Sequence, residues 1–242
     1  MGKHQKRIAA PRSWRIERKT AYWTVKPMPG PHQRNMSMPL LLIVRDVLKL
    51  ADNSKEAKRV LHEGNILIDG KPRKDHKFPI GIFDIISIPA IDANYMVVLD
   101  HKGKLSLVAL GAEAESGKLC RVNNKTMIKG GQIQLNLYDG RNIIPSNDLG
   151  AEIKTHDSIM ISLDTNEILQ KFAYKEGSKV MVIGGKHSAQ TGEIEEIRTV
   201  RSPESNVVKI KPLEGGDSFE TIEEYVFVVG EENVEIPGFK NS

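Results

Sequence analysis

The chain has 242 residues, 39% hydrophobic and 27% charged, with one cysteine and a formal net charge of +4. That length suits two or three small domains, and the hydrophobic share is enough for packed cores. Cys120 alone cannot close an internal disulfide or build a thiolate metal site, and the longest apolar run, around Pro39 to Val44, is far short of the roughly 20 residues that span a bilayer. The expectation is a soluble protein of a reducing cytoplasm, without membrane segment, metal or cofactor.

The charge is unevenly placed. Met1 to Leu41 carries nine basic residues, Lys3, Lys6, Arg7, Arg12, Arg15, Arg18, Lys19, Lys26 and Arg34, against Glu17 alone, a local balance of +8 that leaves −4 for the rest. Pro11, Pro27, Pro29, Pro31 and Pro39 remove backbone donors and forbid a long regular element there. Trp14, Tyr22 and Trp23 are interleaved with the cations, and a solvated tail would lack such large apolar surfaces. Two readings stand together: a basic extension that becomes ordered on a polyanion, or a segment whose tryptophans pack on the protein's own body.

From Leu40 the pattern changes. Leu41, Val44, Val47, Leu48 and Ala51 at helical spacing predict one helix, which Asp52, Asn53 and Ser54 end while capping a second. Ala57, Val60 and Leu61 give the second helix a buried face, and Gly64 stops it. Ile66, Ile68, the turn pair Asp69 and Gly70, and the run Ile80 to Ile88 then predict a small sheet. Lys55, Lys58, Arg59 and His62 fall on or near one face of the second helix, and Lys71, Arg73, Lys74 and Lys77 come from the turn beyond the strand. Two adjacent basic elements suit a phosphate backbone, although a charge run is also compatible with a plain solvated face.

Tyr95 to Leu169 predicts a β domain of short strands, with turns at His101 to Lys104 and at Asp139 and Gly140 and a hairpin from Ile159 to Leu169. His101 and His156 are expected as ordinary surface residues in turns. In "VMVIGGKHSAQTGEIEEI", Val180 to Ile197, the two glycines and the lysine suggest a phosphate loop, but that loop needs Gly, four residues, then Gly-Lys-Ser/Thr. Here His187 follows Lys186 and Val180 stands five before Gly185. The alternating "GEIEEI" then predicts a strand where a nucleotide site needs a helix, giving strand, loop, strand, with "NVVKIKPL" and "YVFVVG" completing a small barrel. From Leu213 eight acids face Lys240, so that end should turn to solvent or to a basic neighbour.

Glu176 to Ile197 resembles a KOW motif, the β-loop-β unit of ribosomal proteins and transcription elongation factors. Many relatives carry a glycine and an arginine shortly before the last glycine of the loop. This chain has Ala189 and Gln190 before Thr191 and Gly192, leaving Lys186 and His187 as the loop's candidates for RNA. Leu40 to Ile88 resembles the small RNA-binding domain first named from bacterial ribosomal protein S-four. With "HQKRIAAPRSW", "GPHQRNMSMPLL", "IDGKPRKDHKFPIGIFDIISI" and "FETIEEYVFVVG" in order, the whole chain is similar to the archaeal and eukaryotic small-subunit ribosomal protein S-four-e family, in an archaeal form.

The resemblance implies an α+β, multi-domain chain: a basic N-terminal extension at 1–41, an S-four-like αα-β module at 42–94, a central β domain at 95–172 and a KOW-containing small β-barrel with an acidic end at 173–242. It implies a structural component of the small subunit, not an enzyme, whose partners are small-subunit ribosomal RNA and neighbouring ribosomal proteins, with no self-association. The arm cations would meet phosphates, Trp14 and Trp23 would stack on bases or riboses, and Lys58, Arg59, Lys71, Arg73 and Lys74 would form a second surface. A KOW factor that binds RNA transiently is the rival reading. An RNA-modifying enzyme is another, for which no metal-spaced His/Cys cluster, no partner histidine for Cys120 and no paired acid for Asp84 or Asp100 is apparent.

Overall fold

The computed structural model describes residues 4–111 and 117–231. They form two compact units, 4–100 with 104–111 and 101–103 with 117–231. Lys3, Glu232, Glu235 and Lys240 lie outside the described residues.

The first unit begins with a ribbon of β1 (Gln5–Lys6) and β2 (Trp23–Thr24), paired antiparallel. After β3 (Ser37–Pro39) comes α1 (Leu40–Leu42), which passes into a π-helical turn at Ile43–Val47 where one longer helix is expected. Leu40 to Val44 are all fully buried, so this turn is enclosed on every side instead of being amphipathic. The wider turn closes with the Leu48 N–H donating to Ile43 O at 2.8 Å, and Lys49, at φ 55°, stops it. The second helix, α2 (Ser54–Glu63), follows the expected signals: Asn53 Oδ1 accepts from the N–H groups of Lys55 and Glu56, and Gly64 takes φ 80° at its end.

The sheet strands follow as β4 (Leu67–Ile68), β5 (Lys71–Pro72), β6 (Pro79–Gly81), β7 (Ile85–Ile88), β8 (Ala93–Leu99) and β9 (Leu105–Leu110). Asp69 and Gly70, at φ 50° and 74°, make the tight turn between β4 and β5. The sheet order is β5-β4-β7-β8-β9, while β6 pairs with β3. The hairpin β8–β9, expected at the start of the central domain, therefore belongs to the first unit. Six β8–β9 pairs, Asn94↔Leu110 to Leu99↔Leu105, extend the sheet that β7 starts, and a boundary at 94/95 would cut it through a strand.

The N-terminal segment does not stand off as an arm. Trp14 is 1% exposed and its Nε1–H donates to Ser37 O at 2.6 Å, while Leu105 N–H donates to Ser13 O at 2.8 Å. His32 is buried with Nε2 2.9 Å from both oxygens of Asp84, and Asp84 Oδ2 also accepts from Gly81 N–H at 2.8 Å. A Cβ on Gly81 would lie 2.3 Å from the His32 ring, so this close approach requires glycine. The stretches "GPHQRNMSMP" and "PIGIFD" thus meet as two sides of one packed contact.

In the second unit β10 (Gly117–Met127) is shared. Its first half pairs with β13 (Ser158–Ser162) and its second with β11 (Ile133–Leu137), with a register shift between Val122 and Asn124. With β12 (Asn142–Ile143) and β14 (Ile168–Phe172) the order is β12-β11-β10-β13-β14, and a short α3 (Asn147–Glu152) covers Ile133. Cys120, Val122, Leu135, Leu137, Ile153, Ile159 and Ile161 form the core. A second sheet, β18-β17-β16-β15-β19, uses β15 (Lys179–Val182), β16 (Thr191–Arg198), β17 (Val207–Pro212), β18 (Phe219–Ile222) and β19 (Val226–Gly230). Buried Arg121 joins the two sheets. Its guanidinium donates to Glu224 O at 2.7 Å and Val226 O at 2.9 Å and lies over the Tyr138 and Phe227 rings. A division at 172/173 therefore separates two sheets of one compact unit. His156 is half-buried against Tyr174, more enclosed than a surface turn residue, and burial lowers its pKa.

Candidate nucleic-acid interface

The sequence places basic residues on α2 and beyond β5, and the fold brings the two groups together. Lys58 and Arg59 are exposed on α2, Lys71 is exposed on β5, and Lys74 is exposed on the loop beyond it. A Cβ on Gly64 would lie 3.8 Å from Lys74 Cε, so this lysine reaches the carbonyl end of α2, where the helix dipole favours a cation. Arg59 Nε is 3.2 Å from Glu63 Oε1, an exposed i,i+4 pair that water screens and a phosphate can displace.

Arg73 differs from its neighbours. It is half-buried with its guanidinium 4.6 Å above the Phe78 ring centroid, and its Nε is buried without a hydrogen-bond acceptor. A buried charged donor left unsatisfied is costly. His76 lies beside this cluster. Its pKa is lowered, first by burial, then by the charge on Lys58, with Lys77 and His62 adding and Asp75 opposing. Helix and loop therefore feel each other's charge across His76.

The N-terminal cations separate into two groups. Arg7 is buried and its Nε donates to Glu17 O, while Arg18 donates to the carbonyls of Ala10 and Pro11, both at 2.7 Å. These two hold the segment's own turns. Lys6, Arg12, Arg15, Lys19 and Arg34 are exposed and Lys26 is half-buried. Trp14 is committed to the core, against the expectation that it stacks on RNA, because its indole N–H is needed by Ser37 O. Trp23 is 53% exposed and remains presented to solvent.

In the β15–β16 loop the glycines answer to packing. A Cβ on Gly184 would lie 2.7 Å from the Tyr225 ring, and one on Gly192 would lie 2.3 Å from Ile210 Cγ2 and 2.6 Å from Lys211 O. Ala189 holds φ 70°, a left-handed conformation that glycine takes without strain. Lys186 is exposed. His187 is stacked on Phe219 with centroids 4.1 Å apart, and its Nδ1 is 3.0 Å from Gln190 Oε1. The loop offers one cation, whereas α2 and its neighbouring loop offer several. Among the described residues no group of three or more His, Cys, Asp or Glu could hold a metal ion, and no helix is long and apolar enough to cross a membrane.

Comparison with known proteins covers both units. The RS4NT (NUC023) domain matches residues 1–35 and Ribosomal family S4e matches residues 91–168. Small ribosomal subunit protein eS4 of Methanocella arvoryzae is 50% identical over 239 residues, 99% of each chain. The chain belongs to ribosomal family S4e. The eS4 protein of Archaeoglobus fulgidus is 43% identical over 234 residues, 97% of this chain and 96% of that one. The crystal structure of 30S ribosomal protein S4e from Thermoplasma acidophilum superposes with a TM-score of 0.68 at 34% identity, covering 81% of this chain and 96% of that one. The S4e match at 91–168 starts just before β8 and continues into the second unit, so it covers residues of both units.

Three side chains that the sequence pattern does not single out stand beside these cations. Phe78 supports Arg73, His76 joins α2 to the loop, and His4 packs against Trp23 at 5.5 Å. The "DHKF" run held the first two, but its aromatic and imidazole rings gain meaning only beside α2.

Proposed function

We infer that this S4e chain is a structural component of the small ribosomal subunit, holding small-subunit ribosomal RNA on its first unit. The observation that carries the reading is the near-complete match to small-subunit proteins. The clustered cations of α2 and the 71–78 loop supply the physical means. RNA helices are recognised mostly through shape, phosphates and 2′-hydroxyls, which calls for fixed cations on a preformed surface. Lys58, Arg59, Lys71, Arg73 and Lys74 would meet one stretch of backbone, and Lys6, Arg12, Arg15, Lys19 and Arg34 another. The Glu176 to Ile197 unit, with its KOW resemblance and acidic surroundings, would serve mainly contacts with basic neighbouring proteins, Lys186 and His187 adding a minor RNA contact. Its sheet would be the small barrel expected of such a unit, and the protein would reside in cytoplasmic ribosomes.

Co-sedimentation with small subunits through a salt series tests this directly. Retention near one copy per subunit at high salt is expected, and release at moderate salt would assign the chain to the transient factors instead.

His76 adds a pH signature. In the free protein its lowered pKa keeps it neutral near pH 7. Phosphates bound beside it would favour the charged ring, so complex formation would take up a proton. At fixed salt RNA affinity should strengthen as pH falls toward His76's lowered free pKa, by at most about tenfold per unit that the bound pKa stands above it. His76→Gln should flatten that profile, and an unchanged slope in the variant would remove His76 from the interface.

A further inference from the structure

The β1–β2 ribbon presents its two faces differently. Gln5 and Thr24 stand opposite each other on one face, with Gln5 only 4% exposed, while Lys6 and Trp23 stand opposite each other on the other face, both exposed. Strand alternation turns one pair inward and the next pair outward. Tyr22, 63% exposed, meets Trp23 edge to face with centroids 4.7 Å apart, and His4 leans on Trp23 at 5.5 Å. Lys6 Nζ lies 5.5 Å from the Tyr22 ring centroid. The support is fixed: Arg7 N–H donates to Tyr22 O at 2.9 Å, and buried Arg7 ties the next turn to Glu17 O.

We propose that His4, Tyr22 and Trp23, with Lys6 beside them, form a stacking platform for one unpaired nucleobase. This rests on the RNA-binding reading and specifies the kind of RNA the ribbon takes. Exposed aromatic faces also suit an apolar protein partner, but Glu17 is the one acid among the first 41 residues, so the surroundings favour a polyanion. In a duplex both faces of each base are already stacked. A bulged or looped-out base offers a free face, and the adjacent lysine can meet the phosphate that carries it. The two tryptophans divide the work, Trp14 closing the core and Trp23 receiving the base.

The chain's two tryptophans make the proposal measurable. Titrating the full-length protein with single-stranded oligoadenylate should quench the exposed Trp23 emission and spare buried Trp14, and a blunt-ended RNA duplex of equal length should quench little. Trp23→Ala should weaken oligoadenylate binding roughly tenfold, as loss of one stacked base would, and leave duplex binding unchanged. Trp23→Phe should keep most of the affinity. Residual Trp14 emission reports that each variant is folded. Unchanged oligoadenylate affinity in Trp23→Ala, or an equal loss on the duplex, would overturn the platform while leaving RNA binding in place. A wild-type protein that binds neither probe would overturn both.

Discussion

Replacing Lys58, Arg59 and Lys74 with glutamine and Arg73 with methionine in one variant should lower affinity for small-subunit ribosomal RNA by roughly a thousandfold at 0.1 M salt. Each phosphate contact contributes about 0.7 to 0.9 to the slope of log K against log salt, so four lost contacts reduce that slope by about 3 and the affinity at 0.1 M by about three decades. Lys58, Arg59 and Lys74 are exposed, and methionine keeps an apolar chain over Phe78 in place of Arg73, so thermal unfolding should change little. Filter binding across a salt series measures both quantities. An unchanged slope would take this surface out of the RNA account, and an unchanged slope with weaker binding would mean that the substitutions act through the fold.

That those four cations lie close together is legible in the sequence because the signal is local. Cations at i, i+3 and i+4 on one helix, and a second set just past a tight turn, are brought together by any compact αα-β arrangement. The basic N-terminal stretch was harder. A run of cations gives a net charge but does not say which guanidinium is consumed by the protein itself. Arg7 and Arg18 spend their donors on the carbonyls of Glu17, Ala10 and Pro11, because a proline-rich segment has few backbone N–H groups to satisfy those acceptors. Arg15 and Arg12 differ from them in nothing that spacing records.

The same contrast runs through the fold. The ends of α2, the Asp69-Gly70 turn and the alternating strands of the second unit follow from capping, positive φ and period-two patterning, each settled within a few residues. Long-range pairing is what a local pattern leaves open. The β8–β9 hairpin was expected correctly as a hairpin, but only the pairing of Ile85 to Ile88 with Ala93 to Met96 assigns it to the first sheet. The enclosed Leu40 to Val44 turn misled for a related reason. A helix buried on all sides carries no amphipathic period, so five consecutive apolar residues could not announce the π-helical turn that follows them.

Trp14 separates the two readings of the N-terminal segment most sharply. Its side chain is almost fully buried and its indole N–H satisfies Ser37 O, so Trp14→Ala removes a large core group and leaves a buried carbonyl short of its donor. The expected loss is about 3–5 kcal/mol, set against a total stability of roughly 5–15 kcal/mol for a typical domain. The midpoint of urea unfolding should fall steeply, whereas Trp23→Ala, at an exposed position, should cost no more than about 0.5 kcal/mol. RNA binding by Trp14→Ala should weaken only as far as the folded population does, and should recover when the protein is stabilised by cooling or osmolyte. If Trp14→Ala instead unfolds at the wild-type midpoint and still loses RNA affinity, the indole must leave its place against Ser37 in the complex. The N-terminal segment would then be an arm that undocks onto RNA, and the packed state would be its resting form.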